Sequence, residues 1–187
     1  MRPHLVQPRK LVAASALLFA ASCSSFADAL GTFPQPVEAL ASPSGRYVYS
    51  ISRVGARVQA FESASNGFIN PVGSSDIQPN EIDAAISPDG RFLAVASTTS
   101  GIETFTFNTD PLDSITDGTP MSTGFVTTPL EMPMSIEFDA SGRFLYVGLA
   151  TGGIQTLQVA ANGELLATGT TSSGDMVIDM ALRLAVR

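Results

Sequence analysis

The chain has 187 residues, 44% of them hydrophobic, and a formal net charge of −7. Its one cysteine is Cys23 and its one histidine is His4, so the chain beyond them has no disulfide, no thiolate nucleophile and no imidazole base. This composition excludes most serine and cysteine hydrolase mechanisms and the usual zinc sites. The acidic balance argues against nucleic acid and anionic membrane surfaces as partners.

Residues 1–29 have the pattern of an export signal. Three basic residues precede an apolar run over residues 11–21, and Ala27-Asp28-Ala29 fits the small-x-small cleavage pattern. We predict cleavage after Ala29 and a periplasmic, cell-surface or secreted product. Without the three basic residues and one acid of the leader, the product keeps seven arginines and sixteen acids, a net charge of −9.

Lipid attachment at Cys23 is an alternative for the same segment, because the small residues Ala20-Ala21-Ser22 precede the cysteine. The large aliphatic residue usual three positions upstream is missing, so cleavage after Ala29 is the favoured interpretation. A lipid at Cys23 would tether the protein to a membrane.

A turn motif recurs three times along the rest of the chain. Each copy contains Gly-Arg followed by an aromatic residue, and the copies cover residues 42–49, 87–94 and 139–146. Their glycines are 45 and 52 residues apart, close to the length of a propeller blade of four strands. A second motif begins with glycine and alternates apolar and polar residues, as a strand with two different faces does; its copies are 55–61, 101–107 and 153–159.

The repeats predict an all-β fold: a partial β-propeller over residues 30–187, with blades of about 36–80, 81–131 and 132–174. The predicted strands are Val37–Ser42, Tyr47–Ser52, Ala56–Glu62, Phe68–Gly73, Ile82–Ser87, Phe92–Ser97, Ile102–Phe107, Gly124–Pro129, Met134–Asp139, Phe144–Leu149, Ile154–Val159 and Leu165–Thr170. Residues 110–121 are polar, contain two prolines and are predicted to form a surface loop. A β-sandwich also has short strands and frequent turns, but it does not require a Gly-Arg-aromatic motif at blade spacing.

Residues 175–187 are predicted to begin an incomplete fourth blade, giving about three and a half blades. Met176–Ala181 resembles a first strand and Leu182–Val186 a second, without the turn that should separate them. Closed propellers need roughly four to eight blades, and open blade edges invite pairing with other chains. Two interpretations follow: a truncated or frameshifted copy of a longer protein, which we favour, or a half-propeller that closes by forming a homodimer through its open edges.

The turn motif, the Gly-Ile-x-Thr strand and the leader together resemble the bacterial lactonase-family β-propellers, which are similar to propeller-type 6-phosphogluconolactonase and carry YVTN repeats. Leu145-Tyr-Val-Gly148 is similar to that repeat. The resemblance covers residues 36–170 and implies seven blades in a complete protein, hydrolysis of a lactone or related sugar-acid molecule, and no metal or other cofactor. It carries no catalytic residue over to this chain. The alternative is a scaffold propeller that binds a protein or glycan.

The first strands of a propeller line its channel, and they carry the candidate site residues. When the repeats are aligned on the turn glycine, Glu38, Asp83 and Ser135 fall at one position, and Glu137 lies two positions further along. Paired carboxyls there could bind a cation or let one act as a general base on water; a polar channel wall without chemistry is the simpler interpretation. Glu81, just before Asp83, is predicted to be solvated at the channel mouth.

The repeated arginines Arg46, Arg91 and Arg143 could each hold a phosphate or carboxylate. Because every blade has one, we expect them to be structural partners of a neighbouring acid or carbonyl. The aromatic residues that follow them, Tyr47, Phe92 and Phe144, are expected in the core.

Overall fold

The computed structural model describes residues 36–53, 55–107, 118–129, 131–177 and 179–180. Its strands are β1 (Pro36–Ala41), β2 (Tyr47–Ser52), β3 (Arg57–Ser63), β4 (Ile69–Asp76), β5 (Glu81–Ile86), β6 (Phe92–Ser97), β7 (Gly101–Phe107), β8 (Pro120–Thr127), β9 (Pro133–Phe138), β10 (Phe144–Leu149), β11 (Gly153–Val159) and β12 (Leu165–Thr171).

The strands form three four-stranded antiparallel sheets in chain order: β1 to β4, β5 to β8 and β9 to β12. Strand β1 lies beside β5, and β5 lies beside β9, so the first strand of each sheet is the inner one. This is the arrangement of three successive propeller blades, and it confirms the predicted fold class over the described residues. Separate radial sheets also rule out the sandwich alternative.

Each predicted strand overlaps an observed one, and the largest difference is at β8. The strand was predicted to begin at Gly124 but begins at Pro120, which pairs with Phe107. A bulge at residues 123–125 interrupts the pairing, and Gly124 has φ of +78° there. Glycine adopts that conformation without steric cost. Because the bulge interrupts the alternation of apolar and polar residues, the pattern did not predict the part of the strand before Gly124.

The blades are held together by two apolar clusters on opposite faces of the middle sheet. Leu93 and Val95 of β6 pack in the cluster shared with blade one, whereas Ala94 and Ala96 pack in the cluster shared with blade three. Successive strand residues point to opposite faces, and all six residues of β6 are buried. The middle blade is therefore the element on which both neighbours depend for their cores.

The recurring turn joins the inner strand of each blade to the next strand. In blade two the Ser87 Oγ accepts a hydrogen bond from the Phe92 N–H at 3.0 Å, and the Gly90 N–H donates to the Ser87 carbonyl at 2.8 Å. Ser42 and Asp139 accept the equivalent N–H in the other two blades, at 3.0 and 2.8 Å. The repeated serine or aspartate therefore closes each hairpin.

The three turn arginines have structural contacts. Each guanidinium lies over the aromatic ring that follows it, with 4.9 to 5.7 Å to the ring centre. Arg46 also pairs with Glu62 at 3.0 Å, and Arg91 donates to the Ala161 carbonyl at 3.0 Å. The expectation of an acid or carbonyl partner is confirmed for Arg46 and Arg91. For Arg143 the contact described is with the ring of Phe144. Of the aromatic residues, Phe92 is in the core, but Tyr47 and Phe144 are only partly buried.

Replacing Gly90 with Ala is expected to destabilise the fold by about 1–2 kcal/mol, the cost of a left-handed conformation for an L-residue. Gly90 has φ of +71°, and an added Cβ would lie 3.6 Å from Pro43, which is ordinary contact. The cost is therefore conformational. Urea unfolding followed by circular dichroism measures it.

Gly169→Ala is the matched control, because Gly169 lies in β12 without a positive φ and with open space around it. This variant is expected to be neutral or slightly stabilising. Equal effects at the two glycines would contradict the conformational explanation.

Several predictions concern residues outside the described ones. The leader 1–29, with Cys23, lies there, as do residues 181–187 of the predicted fourth blade. Met176, Val177, Asp179 and Met180 are described but belong to no strand, so the incomplete blade and pairing through open edges remain predictions. In the described part of the chain, no helix is long and apolar enough to cross a membrane.

Candidate functional site

The candidate site is a row of acidic side chains on the three adjacent inner strands. In each inner strand the pairing with its neighbour skips one residue: Val37, Ile82 or Met134. The residue after each skipped one is Glu38, Asp83 or Ser135, the position that the repeats had aligned. Bulges re-aim side chains and are frequent next to active sites.

Asp83 links the inner strands of blades two and three. Its Oδ2 accepts a hydrogen bond from the Ile136 N–H at 2.7 Å, and its Oδ1 accepts one from the Ala84 N–H at 3.0 Å. The Ala84 N–H also influences the Glu38 carboxyl and lowers its pKa. The inner strand of the next blade therefore acts on both acids, through a hydrogen bond at Asp83 and through the influence of a nearby amide at Glu38.

Glu38 keeps its proton at neutral pH. Burial raises its pKa to about 8, the Asp83 and Glu137 charges add to the rise, and the Ala84 N–H opposes it. Burial disfavours a charged carboxylate, and a like charge nearby does so as well. Glu38 is thus a carboxylic acid that can donate a proton near pH 7.

Glu137 has no hydrogen-bond partner among the described residues, although its side chain is only partly exposed. Burial raises its pKa, as do the negative charges of Asp83 and Asp179. A carboxylate without a fixed partner can accept a proton from water. Of the three predicted acids, Glu137 is the one whose pKa no neighbouring amide lowers.

Ser135, at the third aligned position, is buried, and its Oγ has no hydrogen-bond partner. Blade three therefore has no carboxyl at this position. Asp179 lies close enough to Asp83 and Glu137 to influence both carboxyls. It was not among the predicted site residues; its place in the predicted fourth inner strand was the available signal.

Glu81 was predicted to be solvated, and this was wrong. It is 1% exposed, and neither carboxyl oxygen has a hydrogen-bond partner. The Arg53 Nε donates to the Glu81 main-chain carbonyl at 3.0 Å and lies 3.9 Å from Glu81 Oε1. Burial raises the pKa of Glu81, and its own main-chain N–H and Arg53 oppose this only in part.

The acid row does not have the arrangement of a metal site: among the described residues, no three His, Cys, Asp or Glu side chains are placed to hold a metal ion. The row combines an acid that burial keeps protonated, Glu38, with Glu137, whose carboxyl has no hydrogen-bond partner among the described residues. Asp83 lies on the strand between those that carry them, and its contact with the Ile136 N–H ties that strand to the strand of Glu137.

No protein-family model and no curated protein matches the sequence. Solved structures do match in fold. A proposed 6-phosphogluconolactonase from Bacteroides uniformis has a TM-score of 0.69 and 21% identity, over 80% of this chain and 44% of the other. The periplasmic gluconolactonase of Pseudomonas aeruginosa has a TM-score of 0.63 and 19% identity, over 75% of this chain and 40% of the other. The WD40 repeats of RRP9 have a TM-score of 0.56 and 14% identity, over 75% and 39%.

These likenesses establish a propeller fold for the described blades. The chain spans less than half the length of each of these structures. This agrees with the expectation that three blades correspond to part of a larger ring.

Proposed function

We propose that the chain belongs to an exported, lactonase-like propeller and contributes inner-strand acids to the hydrolysis of a sugar-acid lactone. The observation that carries the proposal is the presence, in one row, of a protonated Glu38 and of Glu137, which has no hydrogen-bond partner among the described residues. Lactonase names among the fold neighbours support the substrate class, and a periplasmic neighbour supports the export predicted from residues 1–29.

The proposed reaction uses these two groups as base and acid. Glu137 takes a proton from water while the water oxygen bonds to the lactone carbonyl carbon. The ring C–O bond then breaks, and Glu38 gives its proton to the leaving oxygen. The product is an open-chain hydroxy acid, and Glu137 returns its proton to Glu38 through solvent. Paired carboxyls with different protonation states are a common basis for such acid–base work.

Asp83 acts as a positioning residue in this scheme. Both of its oxygens accept main-chain amides, so it holds the strand of Glu137 at a fixed distance from its own. A group so engaged is a poor base, because protonation would weaken both hydrogen bonds.

Glu137→Gln is expected to lower kcat/KM for glucono-δ-lactone by roughly 100-fold or more, the usual contribution of a general base. The assay is acid release by the purified full chain in a pH-stat, corrected for spontaneous ring opening. The wild-type rate should fall as pH rises through about 8, where Glu38 loses its proton.

Glu131→Gln is the matched control, because Glu131 is exposed and lies just before β9; its rate should equal that of the wild type. The proposal fails if the wild-type chain opens the lactone no faster than buffer does, or if Glu137→Gln is as active as the wild type.

A further inference from the structure

Glu81 breaks the repeat at a position where the other blades have proline. Glu81 is the first residue of β5 and pairs with Ser97 of β6. The equivalent residues of blades one and three are Pro36 and Pro133. A residue that recurs in every blade is explained by the blade fold itself. A residue present in only one blade needs a different explanation. A buried carboxyl without a hydrogen-bond partner is costly, so blade structure alone does not account for Glu81.

Arg53 supplies the second half of the feature, from the neighbouring blade. It follows β2, its side chain is 51% exposed, and its Nε is held by the Glu81 carbonyl. Neither of its Nη atoms has a hydrogen-bond partner among the described residues. A guanidinium with both Nη groups open can bind a carboxylate through two parallel hydrogen bonds.

Backbone strain marks the same place. Among the described residues, the non-glycine residues with positive φ are Asn80 at 61° and Ala56 at 44°. Asn80 directly precedes Glu81, and Ala56 lies in the same β2–β3 turn as Arg53. Such conformations persist where the surrounding structure enforces them and are frequent at ligand sites.

Hydroxyl groups surround the start of β5. Ser97 Oγ donates to the Pro79 carbonyl at 2.6 Å, and Asn80 Nδ2 donates to Thr99 Oγ1 at 3.4 Å. These contacts tie the segment before Glu81 to the β6–β7 turn, so the backbone that carries Glu81 is held in place. The surroundings are polar enough for a hydroxylated ligand.

We infer that Arg53 and Glu81 form a binding site for a small 2-hydroxy carboxylate, with the carboxylate on the Arg53 Nη groups and the neighbouring hydroxyl on the Glu81 carboxyl. Arg53 Nε lies 3.9 Å from Glu81 Oε1, so without a ligand the guanidinium covers the carboxyl. The exposed guanidinium moves outward to meet the carboxylate, and this movement opens Glu81 to the hydroxyl. The site does not depend on the proposed hydrolysis.

The test is an NMR titration of the full chain with glycerate, following the Arg53 Nε–H and Glu81 amide signals. Glycerol carries the hydroxyls alone and propionate the carboxylate alone. Glycerate is expected to bind with a Kd on the order of 1 mM, and each partial ligand at least about tenfold more weakly. Glycerate binding that equals propionate binding would contradict a role for Glu81.

Arg53→Gln and Glu81→Gln should each weaken glycerate binding by roughly tenfold, and Arg53→Lys by less, because it keeps the charge and loses the fork. Arg57→Gln is the matched control, since Arg57 is exposed and paired with Asp76; it should bind as the wild type does. Unchanged signals up to about 50 mM glycerate, far above the expected Kd, or equal binding by Arg53→Gln, would overturn the inference. Glycerate binding without lactone turnover would leave the site standing and reject only the hydrolysis.

Discussion

Asp83→Asn is expected to destabilise the folded chain by about 2 kcal/mol, because a hydrogen bond to a charged group contributes roughly 1.5–3 kcal/mol. Both carboxylate oxygens of Asp83 accept main-chain amides, from Ala84 at 3.0 Å and Ile136 at 2.7 Å. Asparagine has one acceptor oxygen, and its NH₂ group would face an N–H donor. The isosteric change therefore removes one contact and leaves a buried amide without a partner.

The loss of negative charge offsets part of this cost. Burial raises the pKa of Asp83, and Asp179 raises it further, so a neutral side chain relieves repulsion within the row. The missing amide partner dominates, since an unsatisfied buried donor costs about 1–3 kcal/mol whereas the charges act through partly hydrated surroundings. Urea unfolding at pH 7 gives the net value.

Hydrogen exchange locates the effect. The Ile136 amide should exchange faster in Asp83→Asn than in the wild type, because its acceptor is weakened. Asp76→Asn is the control: Asp76 is an exposed carboxylate, 84% accessible, paired with Arg57, and its loss should cost at most about 0.5 kcal/mol. A stability equal to wild type with unchanged Ile136 exchange would show that Asp83 does not link the blades.

The repeats were sufficient to predict the blades, since a Gly-Arg hairpin every 45 to 52 residues fixes where each inner strand turns back. They also placed Glu38, Asp83 and Ser135 at one position, and the structure has all three directly after the skipped inner-strand residue. Register within a hairpin is a local property, so residues aligned on the turn remain aligned along the strand.

The bulges and the state of Glu81 could not be predicted in this way. A single skipped residue in a six-residue strand leaves too little alternation to detect. Glu81 follows Pro79 and Asn80, which is typical of an exposed loop, yet it is 1% exposed. Its burial is a property of blade packing, because the contact that covers it comes from Arg53, 28 residues earlier in the chain.

Glu38→Gln is expected to make the chain more stable than the wild type at pH 9 and to leave it nearly unchanged at pH 5. The folded pKa of Glu38 is about 8, raised from 4.5. Below pH 4.5 the group is protonated in both states, so no difference arises. Between pH 4.5 and 8 the unfolded chain loses the proton while the folded chain keeps it, and the wild type loses stability as pH rises.

Above pH 8 the folded wild type carries a partly buried carboxylate beside Asp83 and Glu137, whereas glutamine stays neutral. The free energy of unfolding of Glu38→Gln should then exceed that of the wild type by about 1–3 kcal/mol. This is the value that follows from the pKa difference between the folded and unfolded states, reduced for solvent screening. Urea unfolding at pH 5, 7 and 9 by circular dichroism measures it, because the chain has no tryptophan.

The control Glu62→Gln removes the exposed ion pair with Arg46 and should lower stability by at most about 0.5 kcal/mol, the opposite sign. Two effects compete at Glu38: burial with like charges favours the proton, and the Ala84 N–H favours the carboxylate. If Glu38→Gln destabilises the chain equally at pH 5 and pH 9, the amide contact dominates. Glu38 would then link blades one and two as Asp83 links blades two and three, and would not serve as the acid.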